Sequence, residues 1–435
     1  MTNLLNLEGW NTFPISESDV DLLIPAEYAV SPTVCVRCGV VDPSLKRHGF
    51  QKQRFMDTPM QGKRVGIMVK RQRYKCLECG QTFHQPISDM DEKRHMTRRL
   101  VEYVERRSLE RTFSEVAADI GVDEKTVRNI FRENIAKLDA AYEPHTPEWL
   151  GIDELFLIHR PRCVLTNVSV STLIDVLPDR NKPTVLKWMR ERIDSNAVEV
   201  ITMDMWKPYR DAALEALPNA IVVVDKFHVV KMANHALNTI RKSFREGLDA
   251  KGRRKLLRSR HLIMKRRYNL TPEQFSEMRE WTNSVPVLFN AYQAKEDFFD
   301  IYDCTTKAEA MDLYDTWKAC LDPVTAAAFF ELIRAVDNWR PEVFNYFEHR
   351  ITNAFTESLN GLVRVANRMG RGYSFEAIRA KMLFGMQRKT ERYKAPVGIE
   401  WRLCSGLYDY RDLGVPLAQI IELLSGGHLS TLKSE

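Results

Sequence analysis

The pattern of hydrophobic and polar positions between residues 147 and 225 predicts alternating strands and helices. Apolar, β-branched runs predict strands over residues 149–158, 162–169, 171–176, 198–204 and 220–225. Runs with a helical period predict helices over residues 183–193 and 207–217. The order is strand, strand, strand, helix, strand, helix, strand, so the sequence predicts a mixed α/β domain.

Two short amphipathic helices are predicted within residues 95–140. Gly121 stands where a left-handed turn would separate them, and Asp123 stands where it would cap the second helix. One apolar face runs across both helices, formed by Val116, Ala117, Ile120, Val122, Val127 and Ile130. This pattern is typical of a helix-turn-helix, and four residues are then available to the major groove of DNA: Lys125, Thr126, Arg128 and Asn129. The alternative is an ordinary helical hairpin packed inside a core.

The segment of residues 226–348 has a helical pattern and is mostly without strand alternation. It separates the α/β segment from an amphipathic helix predicted within residues 349–400. We therefore predict an all-α insertion that interrupts one α/β domain. Residues 401–435 form a C-terminal tail with a less diagnostic pattern.

Length and composition indicate a multidomain globular protein, since 435 residues exceed one ordinary core. The chain is 44% hydrophobic and 28% charged, and no apolar run approaches the roughly 20 residues that span a bilayer. Residues 1–30 carry five acids and no Lys or Arg, unlike a signal peptide. We expect a cytoplasmic protein without a membrane partner.

The formal net charge of +6 is unevenly distributed along the chain. Residues 44–111 hold 17 basic against 8 acidic residues, and residues 226–267 hold 14 against 2. Residues 271–348 reverse this balance, with 6 basic against 15 acidic residues. Two concentrated basic segments indicate a polyanion that is bound at defined surfaces, and the alternative is a set of solvated helix faces.

Two Cys-x-x-Cys motifs, CVRCG and CLECG, are separated by 37 residues. The four cysteines are Cys35, Cys38, Cys76 and Cys79. Four thiolates are typical of a structural Zn²⁺ site, and the alternating residues between the motifs favour a zinc ribbon over residues 31–90. His48 and His84 are alternative ligands, whereas redox activity is disfavoured because neither motif opens a βαβ unit. Basic residues on the ribbon strands are expected to face phosphate: Lys63, Arg64, Lys70, Arg71 and Arg73.

Two acids occupy related positions in the predicted α/β domain. Asp153 lies within the first strand and Asp204 at the end of the fourth. The element order matches the ribonuclease H-like fold, in which these two strands are neighbours, so the carboxylates are expected to converge. Asp225 ends the next strand and is the rival to Asp204 as a metal ligand, with His228 three residues further on. Each acid taken alone is also explained as a solvated strand end.

A third acid, Glu357, lies one turn into the helix predicted after residue 352. Three carboxylates are suited to holding two Mg²⁺ or Mn²⁺ ions, which activate the attacking oxygen and stabilise the leaving oxygen in phosphodiester chemistry. Basic residues follow on and after the same helix, where they can contact a DNA backbone: Arg364, Arg368 and Arg371. The alternative is that Glu357 is an ordinary surface acid of the helix.

The chain resembles the DDE transposases of the bacterial ISL-three insertion-sequence family. The resemblance is carried by the motifs GIDE, TMDMWKPYRDA, NAIVVVDKFHVVKMANHALNTIRK and TNAFTESLNGLVRVANR, together with the zinc finger and the helix-turn-helix. It implies a catalytic triad of Asp153, Asp204 and Glu357, and a DxxH element formed by Asp225 and His228. It also implies an all-α insertion in a ribonuclease H-like domain.

The resemblance implies an enzyme that binds the terminal inverted repeats of its insertion sequence. It would nick the ends, and the freed 3′ hydroxyl would attack target DNA. A homodimer or higher assembly on double-stranded DNA is expected because two ends must be joined, with the protein nucleoid-associated when bound. Two other functions fit the residues less fully: a DNA-binding regulator with an inactive catalytic domain, and a structure-selective nuclease of the same fold.

Overall fold

The computed structural model describes residues 5–243, 250, 253–254, 260–370 and 372–385. These residues fall into two compact units: the first contains residues 5–142 and 384–385, and the second contains the described residues between 143 and 383. The predicted C-terminal tail, residues 401–435, lies outside the described residues. Within the described part of the chain, no helix has the length and apolar character needed to cross a membrane.

The first unit contains an eight-stranded sheet with the order β1-β3-β5-β4-β8-β7, in which β2 pairs with β3 and β6 with β5. Its strands are β1 (Trp10–Thr12), β2 (Ser16–Glu17), β3 (Asp21–Tyr28), β4 (Leu45–Met60), β5 (Lys63–Cys76), β6 (Thr82–His84), β7 (Met90–Asp91) and β8 (Met96–Thr97). The long β4–β5 hairpin turns at Gln61 and Gly62, both with positive φ, as a two-residue hairpin turn requires. Alternate residues of β5, among them Val65, Ile67 and Val69, are buried in the core of this unit.

Three helices complete the first unit: α1 (Arg98–Glu110), α2 (Phe113–Ile120) and α3 (Glu124–Ala141). Thr112 and Glu115 form a reciprocal capping box at the start of α2. Gly121 ends α2 with φ of 72°, and the Asp123 carboxylate accepts the Thr126 backbone N–H at the start of α3. The turn and the cap predicted for the helix-turn-helix are therefore confirmed.

The second unit contains a five-stranded sheet with the order β11-β10-β9-β12-β13. Its strands are β9 (Trp149–Leu157), β10 (Arg160–Asn167), β11 (Thr172–Val176), β12 (Val200–Met203) and β13 (Ile221–Val224). The first three strands are antiparallel to one another, and β12 and β13 run parallel to β9. The strands and helices predicted between residues 149 and 225 are present, with ends within two residues of the prediction, and β9 and β12 are neighbours as expected.

The described part of the second unit also contains helices, some of which pack on the two faces of this sheet. They are α4 (Lys182–Arg192), α5 (Lys207–Ala216), α6 (Lys226–Ser243), α7 (Arg260–Met264), α8 (Pro272–Ser284), α9 (Pro286–Ile301), α10 (Lys307–Ala319), α11 (Pro323–Asn338), α12 (Arg340–Phe344), α13 (Tyr346–His349), α14 (Ala354–Gly370) and α15 (Phe375–Phe384). Helices α4 and α5 pack on the face that buries Leu150, Ile152 and Met203. Helix α14 packs on the opposite face, against β9 and β10. Within 226–243 and 260–370 the regular elements are helical, with no strand assigned.

The register of three adjacent strands aligns three acids. Ile152 of β9 pairs with Met203 of β12, and Met203 also pairs with Val224 of β13. The next residue along each strand direction is an aspartate: Asp153, Asp204 and Asp225. Since side chains alternate between faces along a strand, all three carboxylates leave the sheet on the face where α14 packs.

Candidate active site

Asp153 within β9, Asp204 just after β12 and His228 in the first turn of α6 form a compact group of side chains. One ligand atom of each lies within 4.8 Å of the others. The His228 Nδ1 atom lies 2.5 Å from an Asp204 carboxylate oxygen and 3.6 Å from an Asp225 carboxylate oxygen. Burial disfavours the charged ring, but the neighbouring Asp204 carboxylate outweighs burial and raises the pKa of His228. The group has the oxygen and nitrogen donors that divalent cations accept.

Asp153 is the most deeply buried member of this group. The residue is 6% exposed, and one carboxylate oxygen accepts a hydrogen bond of 2.6 Å from the Asn360 side-chain amide. Its other oxygen accepts from the Glu154 backbone N–H. Burial, followed by repulsion from Asp204, raises the pKa of Asp153 to about 8. A bound cation would offset both the cost of burying the charged Asp153 carboxylate and its repulsion by Asp204.

Asp225 is buried beside the group and is tied to the protein backbone. Its carboxylate accepts hydrogen bonds of 3.3 Å from the Phe227 and Asn353 backbone N–H groups. Burial raises the pKa of Asp225. The compact group contains Asp204 rather than its rival Asp225, and the two backbone contacts give Asp225 a structural role at the start of α6 and α14.

Polar side chains anchor α14 to the sheet. The Asn353 amide donates to the Ile152 carbonyl at 3.2 Å, and the Thr356 and Thr166 hydroxyls lie 2.7 Å apart. Gly151 accommodates this contact, since an added Cβ would lie 2.3 Å from the Thr166 hydroxyl oxygen and 2.8 Å from the Asn353 amide oxygen. Together with Asn360, these residues explain why the helix sits over Asp153.

The sequence reasoning missed Asn360, Thr356 and Gly151 as site residues. Asn353, Thr356 and Asn360 recur at intervals of three and four residues, and all three are buried. Polar residues at helical spacing in the predicted catalytic helix were therefore a usable signal, since such a row faces either solvent or a polar site.

Glu357 is exposed and lies outside the compact group within the described residues. It stands in the first turn of α14, three residues before Asn360 and therefore on an adjoining part of the helix surface. Arg364 and Arg368 are exposed on the same side of α14, seven and eleven residues further on. Arg371 lies outside the described residues.

The four predicted zinc ligands meet in the first unit, as Cys35, Cys38, Cys76 and Cys79. The Cys35 and Cys79 sulfur atoms lie 3.9 Å apart, and those of Cys38 and Cys76 lie 4.0 Å apart. Zn–S bonds of about 2.3 Å in a tetrahedron place the sulfur atoms about 3.8 Å apart, so the cluster fits zinc. Neither His48 nor His84, the alternative ligands, belongs to this group within the described residues.

The basic residues of the zinc ribbon occupy different environments. Lys70 and Arg73 are exposed on β5. The side chain of Arg71, in contrast, is 8% exposed and donates to the Gln85 carbonyl and to Glu92. Arg71 corrects the prediction, because a buried and paired guanidinium is not available to phosphate. Lys63 and Arg64 are also engaged, in ion pairs with Glu17 and Asp21.

Helix α3 presents the residues predicted to enter the major groove. Lys125 and Asn129 are exposed, one turn apart on the same face. The Thr126 hydroxyl donates to the Asp123 carboxylate, which orients the first turn. Arg128 is half-exposed, pairs with Glu124 and lies over the Phe113 ring.

Three family profiles match successive segments of the chain. The zinc-finger of transposase IS204/IS1001/IS1096/IS1165 matches residues 31–79, and the helix-turn-helix domain of transposase family ISL3 matches residues 85–133. A profile described as transposase, of the same ISL3 group, matches residues 150–382. The order of zinc ribbon, helix-turn-helix and transposase domain predicted from the sequence is therefore confirmed.

The chain is also similar to two named transposases. It is 21% identical to the transposase for insertion sequence element IS1001 of Bordetella parapertussis, over 78% of this chain and 85% of that protein. It is 24% identical to the transposase for insertion sequence element IS1557 of Mycobacterium tuberculosis, over 52% of this chain and 56% of that protein. With a profile that spans more than half of its residues, the chain belongs to transposase family ISL3.

Proposed function

We propose that this transposase cleaves the ends of its insertion sequence and joins them to target DNA with Asp153, Asp204 and Glu357. The observation that carries the proposal is the alignment of Asp153, inside β9, with Asp204, just past the end of the paired strand β12, with their carboxylates in one compact group. Glu357 completes the set from the first turn of α14, whose Asn360 contacts Asp153 directly.

The donor set fits divalent metal ions. Among the described residues, the buried Asn360 side-chain oxygen has no hydrogen-bond partner, and the buried His228 Nδ1 lies against an Asp204 carboxylate oxygen. Oxygen and nitrogen atoms gathered around two carboxylates favour a cation ligated by oxygen, such as Mg²⁺ or Mn²⁺. When bound, two such ions would supply activation of the attacking oxygen and stabilisation of the leaving oxygen.

The protein's own residues orient these ligands. Asn360 holds the Asp153 carboxylate through its amide N–H, and this bond favours the charged form. His228 lies against Asp204 and Asp225, so a proton on its ring offsets the charge of both acids until a cation binds. Asp225 ties the starts of α6 and α14 together through backbone N–H groups.

The domain around the site is best described as ribonuclease H-like with an all-α insertion. Three antiparallel strands followed by two parallel strands, with β9 beside β12, support the ribonuclease H-like assignment. The helices from α6 to α13 separate β13 from α14 and support the assignment of residues 226–348 as the insertion. The first unit would then bind DNA and the second would carry out the reaction.

Recognition of the inverted repeats belongs, in this proposal, to the zinc ribbon and the helix-turn-helix. A structural Zn²⁺ would hold the ribbon, while exposed cations and amides meet DNA: Lys70, Arg73, Lys125 and Asn129. Arg364 and Arg368 would contact backbone phosphate near the scissile bond. Two ends must be held together for joining, so a dimer or higher assembly on DNA is part of the proposal.

The test is cleavage of duplex DNA that carries the element's own ends, with Mg²⁺ and with a chelator. The wild type should bind and cleave with Mg²⁺ and should only bind with the chelator. Asp153→Asn should bind the ends with unchanged affinity and cleave none, and Glu191→Gln, an exposed acid on α4, serves as the matched control. Binding without cleavage by the wild type would favour a regulator, and cleavage that ignores the end sequence would favour a nuclease. Full cleavage by folded Asp153→Asn would refute the proposed triad.

A further inference from the structure

A cavity of about 630 Å³ opens beside the candidate active site. Asp204 and His228 lie at one end, and helices α6 and α11 form its walls. Its volume falls within the range of about 300–1,000 Å³ that is typical of pockets for small ligands. Apolar side chains, including Met232 and Leu332, line part of the cavity, while the remaining lining is polar or charged.

Trp206 forms a flat aromatic wall of this cavity, two residues after Asp204. It is 37% exposed, whereas Trp317 and Trp339 are buried in the helical core. The Arg180 guanidinium lies over the Trp206 ring at 4.0 Å from its centroid and is paired with Glu154, the neighbour of Asp153. A nucleobase can stack on an indole ring and on the plane of a guanidinium group.

A row of polar residues on α6 leads from His228 along the cavity. Lys231, His235 and Thr239 are exposed at intervals of four residues, which places them on one face of the helix. The sequence of α6, KFHVVKMANHALNTIRKS, contains no acid. This face therefore offers positive charge and hydrogen-bond donors to a phosphate or to a base edge.

We propose that this cavity holds one unpaired nucleotide of the DNA end, next to the scissile phosphate, with its base stacked on Trp206. The Asp153 carboxylate is buried, so the scissile phosphate must enter below the surface of the protein, which a continuous duplex hinders. Removing a base from the stack is costly, and the cavity offsets this cost by stacking and by contacts from Lys231 and His235. The inference rests on the proposed cleavage of DNA ends by this site.

The experiment compares wild-type protein and Trp206→Ala on duplexes carrying the element's end. One duplex is fully paired, and the others carry a single abasic position on either side of the scissile phosphate. Trp206→Ala should cleave the paired duplex about 10-fold or more slowly, in line with the stacking lost per base. An abasic site at one position should restore its rate to that of the wild type, because no base then needs a pocket. Trp206→Phe should keep most of the activity.

Phe330→Ala is the matched control, since Phe330 is an exposed aromatic residue of α11 that does not line the cavity. It should cleave every duplex like the wild type, and end binding should be unchanged in all variants. Equal cleavage of paired DNA by Trp206→Ala and wild type would overturn the inference. A defect that persists on every abasic duplex would also overturn it, because it would indicate a structural role. If the wild type itself cleaves no paired end, the proposed function fails first.

Discussion

Two groups of side chains in the described residues could hold a metal ion, the four cysteines and the group of Asp153, Asp204 and His228, and they are built in opposite ways. The four cysteines come from two short motifs, and each motif supplies a pair of ligands that are adjacent by local turn geometry. The acidic group draws its side chains from two strands and a helix, and its support comes from α14, 207 residues after Asp153. The four cysteines therefore meet when two local turns come together, whereas Asp153, Asp204 and His228 meet only when the whole second unit has folded.

The clusters also differ in donor chemistry. Thiolates around a tetrahedral position form a closed site for a soft ion, with no place for substrate. Carboxylates suit hard cations that keep open positions, and Asp204 lies at the end of a cavity. In the proposed function, the four cysteines therefore contribute stability, and the group of Asp153, Asp204 and His228 contributes the chemistry.

The largest effect on cleavage is expected when the ligand atom at position 204 is changed from oxygen to sulfur. Asp204→Cys should lower Mg²⁺-dependent cleavage by at least about 100-fold, the size of effect seen when one preorganised electrostatic group is lost. Mn²⁺ should restore part of the activity because it accepts a sulfur donor more readily than Mg²⁺. Cleavage rates in the two metals check this, with Asp204→Asn as the variant that Mn²⁺ should not rescue. Equal activity of Asp204→Cys in Mg²⁺ would contradict the ligand role.

Removal of the sulfur ligands should act on binding instead. The double variant Cys38→Ser with Cys79→Ser should lose bound zinc and weaken end binding by more than about 10-fold, since several phosphate contacts are lost together. Zinc content and gel-shift affinity measure the two effects. Cys320→Ser is the control, as that free cysteine is exposed in the second unit. Unchanged affinity after loss of zinc would separate the cluster from DNA binding.

A smaller effect is expected from Asn360, which positions Asp153 without touching the reacting atoms. Asn360→Ala removes the hydrogen bond that favours the charged carboxylate, so the pKa of Asp153 should rise further and cleavage should fall about 10-fold. The defect should shrink as pH increases, because a higher pH restores the charged form. A pH profile beside that of Ser358→Ala, an exposed position on α14, measures this shift. A defect of constant size across pH would indicate a structural role.

The last prediction concerns the stability of the fold without metal. The pKa of Asp153 is about 8 in the folded protein, against about 3.9 in an unfolded chain. Between these values the folded state binds more protons, so the free energy of unfolding should fall as pH rises from about 4 to about 8. The raised pKa values of Asp225 and His228 act in the same direction. Melting temperatures of chelator-treated protein should therefore decline over this range.

Mg²⁺ should reverse that decline more at pH 8 than at pH 6, since the metal requires charged carboxylates. Asp153→Asn should show a shallower slope of melting temperature against pH than the wild type. An identical slope in the two proteins would contradict the assignment of the raised pKa to Asp153.

Much of the second unit could be predicted because its strands are continuous apolar runs. The pairing of β9 with β12 followed from the element order, and with it the convergence of Asp153 and Asp204. Arg71 was predicted wrongly because its strand position gives no sign of the Gln85 carbonyl and Glu92 that bury it. Asn360 and Trp206 were missed because their importance depends on neighbours that are distant along the chain.

The sequence by itself determined the order of the modules, the strands and helices around residues 149–225, and the pairing of the zinc cysteines by motif. These depend on periodicity, turns and ligand spacing, which act over a few residues. Only the tertiary structure decided that His228 joins Asp153 and Asp204 while Glu357 lies outside their group, which basic residues remain exposed, and where a cavity opens beside Asp204. Burial, electrostatic repulsion and hydrogen bonding arise between residues tens to hundreds of positions apart, so they exist only after the chain has folded.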